Sequence, residues 1–464
     1  MPVLRILALA LAVVAGTALG APVHAAAQPA PPNGSDDPVL AALIEEALER
    51  NPDVKGAQEA LAAARSRPVQ ARSLSNPMVA VGYTNDGWAP TLGSMPMTTL
   101  AVMATQDLPY PGKRRLRGEI ASLQADQVEE QLARVALGTV ARVRQAYSSL
   151  LLARDLLELI REQEEIWKQI EGVARARYAV GQGAQQDVLR VQIEVTRIGQ
   201  LRAEQDAVHE TARAELNRLL DRPAEAPLDA TAPLGLAKQE GSLDEILARL
   251  EVISPELQFA LISVERDRLA ADLARKEFKP DFTVQGGYMN RGGLDPMWQA
   301  GVGVSLPLYR KQISAGVAEA AAQTRASERL VESTRLQLRF RTQERMAQLR
   351  AAERIAEVYD QGVIPQDRMS VEAAVANYQT GKVPFVAVLE ALTTLYNDRA
   401  THLGVLADHG KIRASLEEAS LEATSGMSPS GASGMRAVGG RSLGMSGGFA
   451  PGGSGSTGAS GMNR

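Results

Sequence analysis

The run KRRLRGEIASLQADQVEEQLARVALGTVARVRQAYSSLLLARDLLELIREQEEIWKQIEGVARARY, residues 113–178, decides the fold. It holds no proline and is rich in Ala, Leu, Arg, Glu and Gln, the strong helix formers. Apolar residues recur at steps of three and four: Leu116, Ile120, Leu123, then Val143, Tyr147, Leu150, then Leu157, Ile160. That stripe is the seam of a coiled coil. One helix over this span reaches ~100 Å at 1.5 Å per residue, which no compact globular domain contains. The sequence therefore predicts an elongated, mainly helical body.

A second proline-free interval, from Pro307 to Pro365, has the same composition. Landmarks recur between the two stretches. Tyr178-Ala-Val-Gly181 is echoed by Tyr378-Gln-Thr-Gly381, and Val188-Leu189 by Val388-Leu389, each 200 residues on. Asn51-Pro52 pairs with Ser254-Pro255, and Leu108-Pro109 with Leu306-Pro307. Ordered landmarks at a nearly constant offset predict a duplication. The repeats run over 38–220 and 242–423, with turns at about 178–187 and 378–387. A Pro- and Ala-rich linker, 221–241, joins them.

Each half also carries two segments with the period of a strand, at about 77–107 and 280–307. Trp298, Ala300, Val302, Val304 and Leu306 alternate with Gln299, Gly301, Gly303 and Ser305. Phe282, Val284 and Tyr288 alternate with Thr283, Gln285 and Gly287, and Val79, Val81 and Tyr83 form one strand face. Segments of about ten residues, apolar on one side and small or polar on the other, are the transmembrane β-barrel signature. Taken singly they fit soluble hairpins equally well. Aromatics at the strand ends favour the membrane: Tyr83, Trp88, Tyr288 and Trp298 near the tips, Tyr110, Phe282 and Tyr309 near the roots. Prolines 77, 109, 111, 280 and 307 stand where strands convert to helices.

Arg5 followed by the apolar run Ile6–Leu19 reads as a secretory signal peptide, residues 1–27, too short to span a bilayer. No later stretch supplies the ~20 apolar residues of a membrane helix, so membrane residence requires a barrel. The chain has no cysteine, which removes disulfides, thiolate metal sites, cysteine nucleophiles and lipid attachment through an N-terminal cysteine. With four histidines and a net charge of −4, it is poorly supplied for histidine or zinc catalysis and has no electrostatic footprint for nucleic acid. No cofactor is expected. Four strands cannot close a barrel, and a membrane tolerates no open edge, so several copies must share one. Cyclic symmetry is the usual arrangement, although the sequence alone does not count the copies.

The stretch YQTGKVPFVAVLEALTTLYN, 378–397, resembles the second tip turn of TolC-type outer-membrane channels, and YAVGQGAQQDVL, 178–189, resembles the first. The resemblance covers roughly residues 38–423. It implies a non-enzymatic homotrimer with a 12-stranded outer-membrane barrel above a periplasmic helical tunnel. Its tip opens when a periplasmic adaptor and an inner-membrane pump engage it, with the RND type of pump favoured. Glu390 falls where the family has a tip-constricting carboxylate, and Asp187 is assigned to the constriction with it. The alternative for Glu390 is an ordinary solvated carboxylate. The family's second carboxylate corresponds to Ala387 and its basic residue to Val383, beside Lys382, so the family's gate network is incomplete here. Gly181, Gly183, Gly381, Lys382 and Pro384 mark the adaptor-docking tip.

The stretch QDLPYPGKR, 106–114, resembles the strand-to-helix junction of the heavy-metal efflux branch and turns the expected cargo towards heavy-metal cations such as copper or silver. Met427, Met435, Met445 and Met462, in a Gly/Ser-rich tail at 424–464, are weak candidate ligands for such ions. His402 and His409, seven apart on the last helix, are either a partial metal site or packing residues. The rival readings are a periplasmic adaptor, a passive coiled-coil scaffold and a type I protein-secretion channel.

Overall fold

The computed structural model describes residues 37–92, 95–228, 230–236 and 241–418. The expected signal peptide and the methionine-bearing tail lie outside them. Helices α1 (Pro38–Arg50) and α2 (Pro52–Arg72) lead into strands β1 (Met78–Thr84) and β2 (Thr99–Leu108), then α3 (Lys113–Ala179) and α4 (Gln185–Leu219). The series then runs again: α5 (Leu243–Ile253), α6 (Pro255–Lys276), β3 (Asp281–Arg291), β4 (Leu294–Ser305), α7 (Arg310–Val358), a π-helical turn (Tyr359–Val363), α8 (Ile364–Gln379) and α9 (Phe385–Glu417).

Helix starts follow from local chemistry. Asn51 caps α2 by accepting from the backbone N–H of Asp53 and Val54, and Pro52 occupies the first turn, where no N–H is needed. Its side-chain amide also donates to the Leu219 carbonyl at 2.9 Å, tying α2 to the end of α4. Ser242 and Glu245 form a reciprocal capping box on α5.

Helix α3 is continuous over 67 residues, roughly 100 Å of axis. Its counterpart in the second half is not. Pro365 has no N–H to give, and its ring presses on the carbonyl four residues back. The chain relieves this with the wide turn Tyr359–Val363, which α8 follows directly. The seam on α3 is buried at Leu116, Val143, Tyr147, Leu150, Leu157 and Ile160. Ile120 and Leu123 are only half-buried, because Gly118, Ala121 and Ala125 take the inner row there. A Cβ on Gly118 would lie 2.1 Å from Arg72 Cγ, so a larger residue here would displace the Arg72 side chain of α2.

Three clusters hold the middle of the helical body. Leu43, Ile44 and Ala47 of α1 pack on Val143, Tyr147 and Leu150 of α3 and on Leu216 and Leu219 of α4. Ile246 and Leu250 of α5 pack on Leu338 and Leu349 of α7 and Ile412 of α9. Leu257 and Val264 of α6 meet Val331 of α7. Each fully buried leucine is worth about 1.5–3 kcal/mol of transfer free energy.

The strands form one antiparallel sheet in the order β1-β2-β3-β4. The β2–β3 pairing, from Leu100↔Asn290 to Leu108↔Phe282, joins the first hairpin to the second. The rows Val81–Val102–Tyr288–Trp298 and Val79–Ala104–Gly286–Ala300 follow from the register and put the apolar residues on one face. The rows Met78–Thr105–Gln285–Gly301 and Ala80–Met103–Gly287–Gln299 lie on the opposite face. Among the described residues, β1 and β4 each have one edge without a strand partner.

Candidate functional site

The strand-to-helix junction is an electrostatic knot. Gly112 adopts φ +92°, a left-handed conformation that turns the chain from β2 into α3. The turn buries Lys113, whose ammonium donates to Glu277 Oε2 at 2.9 Å and Asp281 Oδ2 at 3.0 Å. Asp281 also accepts from the Tyr110 backbone N–H at 2.7 Å. The Lys276 ammonium lies 6.0 Å from the centre of the Tyr110 ring. One lysine thus holds the β2–α3 junction of the first half to the α6–β3 junction of the second. Sequence reading singled out the surrounding motif but not this lysine.

The two tip turns share one geometry. Gly181, at φ +72°, donates to the Tyr178 carbonyl, and Gln182 donates back to Arg177. Gly381, at φ +76°, and Lys382 repeat the pattern on Tyr378 and Asn377. These are Schellman closures, which need a residue at ease in the left-handed region. A Cβ on Gly183 would come 3.1 Å from the Tyr178 backbone nitrogen, a tight approach in the same turn. Pro384 caps α9 and Ala184 caps α4, neither with a side-chain bond.

Arg177 couples the turns. Its guanidinium donates to the carbonyls of Tyr378 and Gln379 in the second turn and to Gln182 in the first, and lies 4.9 Å from the Tyr378 ring centre. Beneath it, Phe385 meets the ring edges of Trp167 and Tyr378 at 6.2 and 5.7 Å, within an apolar cluster that includes Val191, Val388, Leu392 and Tyr396. Burial pushes the Tyr378 phenol above its ordinary pKa, helped by the nearby Asp187 carboxylate. Asp187 is half-buried against this assembly, whereas Glu390 is exposed on α9. The two carboxylates therefore occupy different settings in one protomer. Lys382 is exposed as well. Nothing local in the sequence signalled Arg177, since its partners lie some 200 residues away.

Aromatics stand at both ends of the strands. Tyr288 and Trp298 are direct cross-strand partners near the β3–β4 turn. Tyr83 donates to Thr91 O at 2.7 Å and contacts Asn85, whose amide donates to the Gly87 and Ala89 carbonyls within the β1–β2 loop. Trp88 in that loop is fully exposed. Tyr110 and Tyr309 stand at the roots, the latter exposed. The histidines do not converge. His402 stacks on Tyr359 and faces Asp360 at 3.6 Å, while His409 is buried against Glu353 at 3.7 Å. Among the described residues no three His, Cys, Asp or Glu side chains are grouped to hold a metal ion. Also among the described residues, no helix is long and apolar enough to cross a membrane.

Paired helical hairpins closed by glycine turns, rooted on a four-stranded sheet with one apolar face, define a subunit of the outer-membrane channel class. The profile of the outer membrane efflux protein family matches residues 43–221 and again 246–420, and the chain belongs to that family. It is 25% identical to the cobalt-zinc-cadmium resistance protein CzcC of Cupriavidus metallidurans over 304 residues, 64% of this chain and 70% of that protein. It is 24% identical to the outer membrane protein TolC of Vibrio cholerae over 388 residues, 77% of this chain and 85% of that one. The fold matches the outer-membrane channel OprN (TM-score 0.68, 18% identity, 83% of this chain and 90% of that one). It matches CusC equally well (TM-score 0.68, 17% identity, 84% and 93%). The protein is an outer-membrane efflux channel subunit.

Proposed function

We propose that three copies of this chain form a passive conduit for heavy-metal cations such as copper or silver. The pore receives cargo from an inner-membrane pump, of the RND type, through a periplasmic adaptor. The observation that carries the assembly is the sheet: one face is apolar and exposed, and both outer edges lack a strand partner among the described residues. Lipid tolerates no such edge. Three copies pairing β4 to β1 supply twelve strands and abolish the edges. Exposed apolar pairs at helical spacing, Leu336 with Phe340 and Leu189 with Ile193, offer further surface for neighbouring copies.

In this reading the repeats are 38–220 and 242–423, a cleaved signal peptide at 1–27 directs export, and no lipid anchor is attached. Tyr83, Trp88, Tyr288 and Trp298 meet one membrane interface and Tyr110 and Tyr309 the other. Glu390 and Asp187 constrict the tip, and Gly181, Gly183, Gly381, Lys382 and Pro384 form the turns on which the adaptor docks. The cargo reading draws on the similarity to CzcC, a cobalt-zinc-cadmium resistance protein, and on the QDLPYPGKR junction. The test combines membrane fractionation, planar-bilayer recording and metal sensitivity of a deletion strain. Outer-membrane location, discrete conductance steps and copper or silver hypersensitivity are expected. A purified trimer that never conducts would remove the channel reading, and unchanged metal sensitivity would remove the cargo.

A further inference from the structure

The sheet distributes its bulky apolar residues by type. Up to the irregularity between Met289 and Arg291, every Val, Leu, Phe, Tyr and Trp of the four strands falls on one face by the register, and all four strand methionines, Met78, Met103, Met289 and Met297, fall on the other; Leu294, beyond it, pairs with Arg291. Apart from these methionines, that second face carries glycine, alanine and polar or charged residues. A face that merely avoided lipid would have no reason to select thioethers.

Three of these methionines are neighbours. Met289 and Met297 are direct partners across β3 and β4, and Met103 on β2 opposes Gly287, one same-face step from Met289. Directly opposed Cβ atoms sit about 5 Å apart and diagonal neighbours about 7–8 Å, within reach of three flexible methionine side chains. Met103 extends across β3: a Cβ on Gly287 would lie 3.0 Å from its Cγ, and Gln299 Nε2 on β4 lies 3.9 Å from its sulfur. Gln299 is one same-face step from Met297. Gly287 thus opens the path that carries the Met103 sulfur towards the other two. Met297 is about half-exposed and Met103 and Met289 are half-buried, so the group is accessible.

We propose that Met103, Met289 and Met297 form a thioether site for a soft univalent cation, Cu(I) or Ag(I), on the pore-facing side of the sheet. Thioethers favour such ions over Zn(II) or Co(II), which prefer imidazole and carboxylate. Uncharged sulfurs bind without the grip of thiolates, as a transit site requires, because an ion must be able to leave as well as to enter. The pore-facing assignment rests on the channel reading, whereas the ligand set itself does not.

The test uses detergent-purified full-length protein, equilibrium dialysis against Ag(I) or Zn(II), and X-ray absorption at the copper edge with Cu(I). Leucine at all three positions conserves volume and apolarity while removing sulfur. Ag(I) affinity should fall roughly fivefold or more, sulfur scattering from Cu(I) should be lost, and Zn(II) binding should stay negligible. A second variant, with leucine at Met427, Met435, Met445 and Met462, should bind Ag(I) as the parent does. A smaller fall in the first variant, or loss in the second, overturns the site. If the triple variant fails to assemble, Met297→Leu alone must lower the sulfur count at copper, and an unchanged count overturns the proposal. Bilayer recording on the same preparation keeps the two readings apart. A conducting parent that binds no Ag(I) ends the site alone, and a non-conducting parent with three sulfurs on copper ends the channel reading alone.

Discussion

Lys113 acts at a single point on both halves of the chain. Its side chain is 1% exposed, while Glu277 and Asp281 retain 45% and 41% exposure, so only the ammonium is fully withdrawn from water. Removing it leaves two carboxylates that solvent still reaches, and the loss is then mainly that of two charge-assisted bonds. Lys113→Met should cost about 1–3 kcal/mol, read as a lower denaturant midpoint of the assembled protein. A midpoint equal to the parent's would mean that the knot contributes nothing net. Glu390 makes a different prediction because it is exposed on α9. In a ring of three, like charges attract cations and repel one another. Glu390→Gln should therefore weaken cation preference and raise resting conductance in bilayer recordings, and unchanged selectivity would refute the constriction. Residue types at the turns were legible in the sequence because a left-handed glycine leaves a signature. Arg177 and Lys113 were not, since each acquires its role from partners brought close only by the fold.

At the scale of elements, α3 was legible nearly to its ends, because a proline-free run of strong helix formers between Pro111 and a glycine turn allows little else. The π turn before Pro365 was not. Proline in a helix predicts a break, but the surrounding packing decides which form it takes. Ile120 and Leu123 misled for a related reason: a three-four spacing does not say that a row of glycine and alanine will be drawn inward by a close neighbour. Helix α9 offers a test. Burial pushes the His409 imidazole below its ordinary pKa, with Glu353 opposing and Arg413 assisting. A lowered folded-state pKa means that the contribution is present above the unfolded value of 6.5 and is lost as pH falls below it, towards the folded value. One such group changes stability by at most about 1.4 kcal/mol per pH unit. Burial also pushes the Asp398 carboxyl up, reinforced by Asp367, and this acts with the opposite sign, its benefit being lost as pH rises through the folded value. The difference between parent and His409→Gln isolates the histidine. The parent's midpoint should fall more steeply between pH 7 and pH 5 than the variant's, and parallel curves would assign that slope elsewhere.

At the scale of the whole molecule, the sheet poses a question that one chain does not answer. Its strand periodicity was legible, since the alternation at Trp298–Leu306 and Phe282–Tyr288 maps onto the two faces without a slip until the irregularity between Met289 and Arg291. The number of strands a lipid-compatible structure needs is set by closure and is not written in any segment. The absence of cysteine makes closure directly testable, because any introduced pair reports on itself alone. If β4 of one copy pairs with β1 of the next, a cysteine at Ala80 on β1 and one at Gly301 or Gly303 on β4 share the non-lipid face of neighbouring strands. They come within disulfide reach in at least one register when the β4 position is moved in steps of two. Within a protomer the same residues are separated by β2 and β3, roughly 14 Å at the usual strand spacing, too far to bridge. Oxidation should then convert the double-cysteine protein into a covalently closed species of three chains on denaturing gels, while each single-cysteine control stays a monomer. A ladder that stops at two chains would indicate a two-fold assembly. No cross-link in any register would mean that the open edges are covered by something other than another copy of this chain.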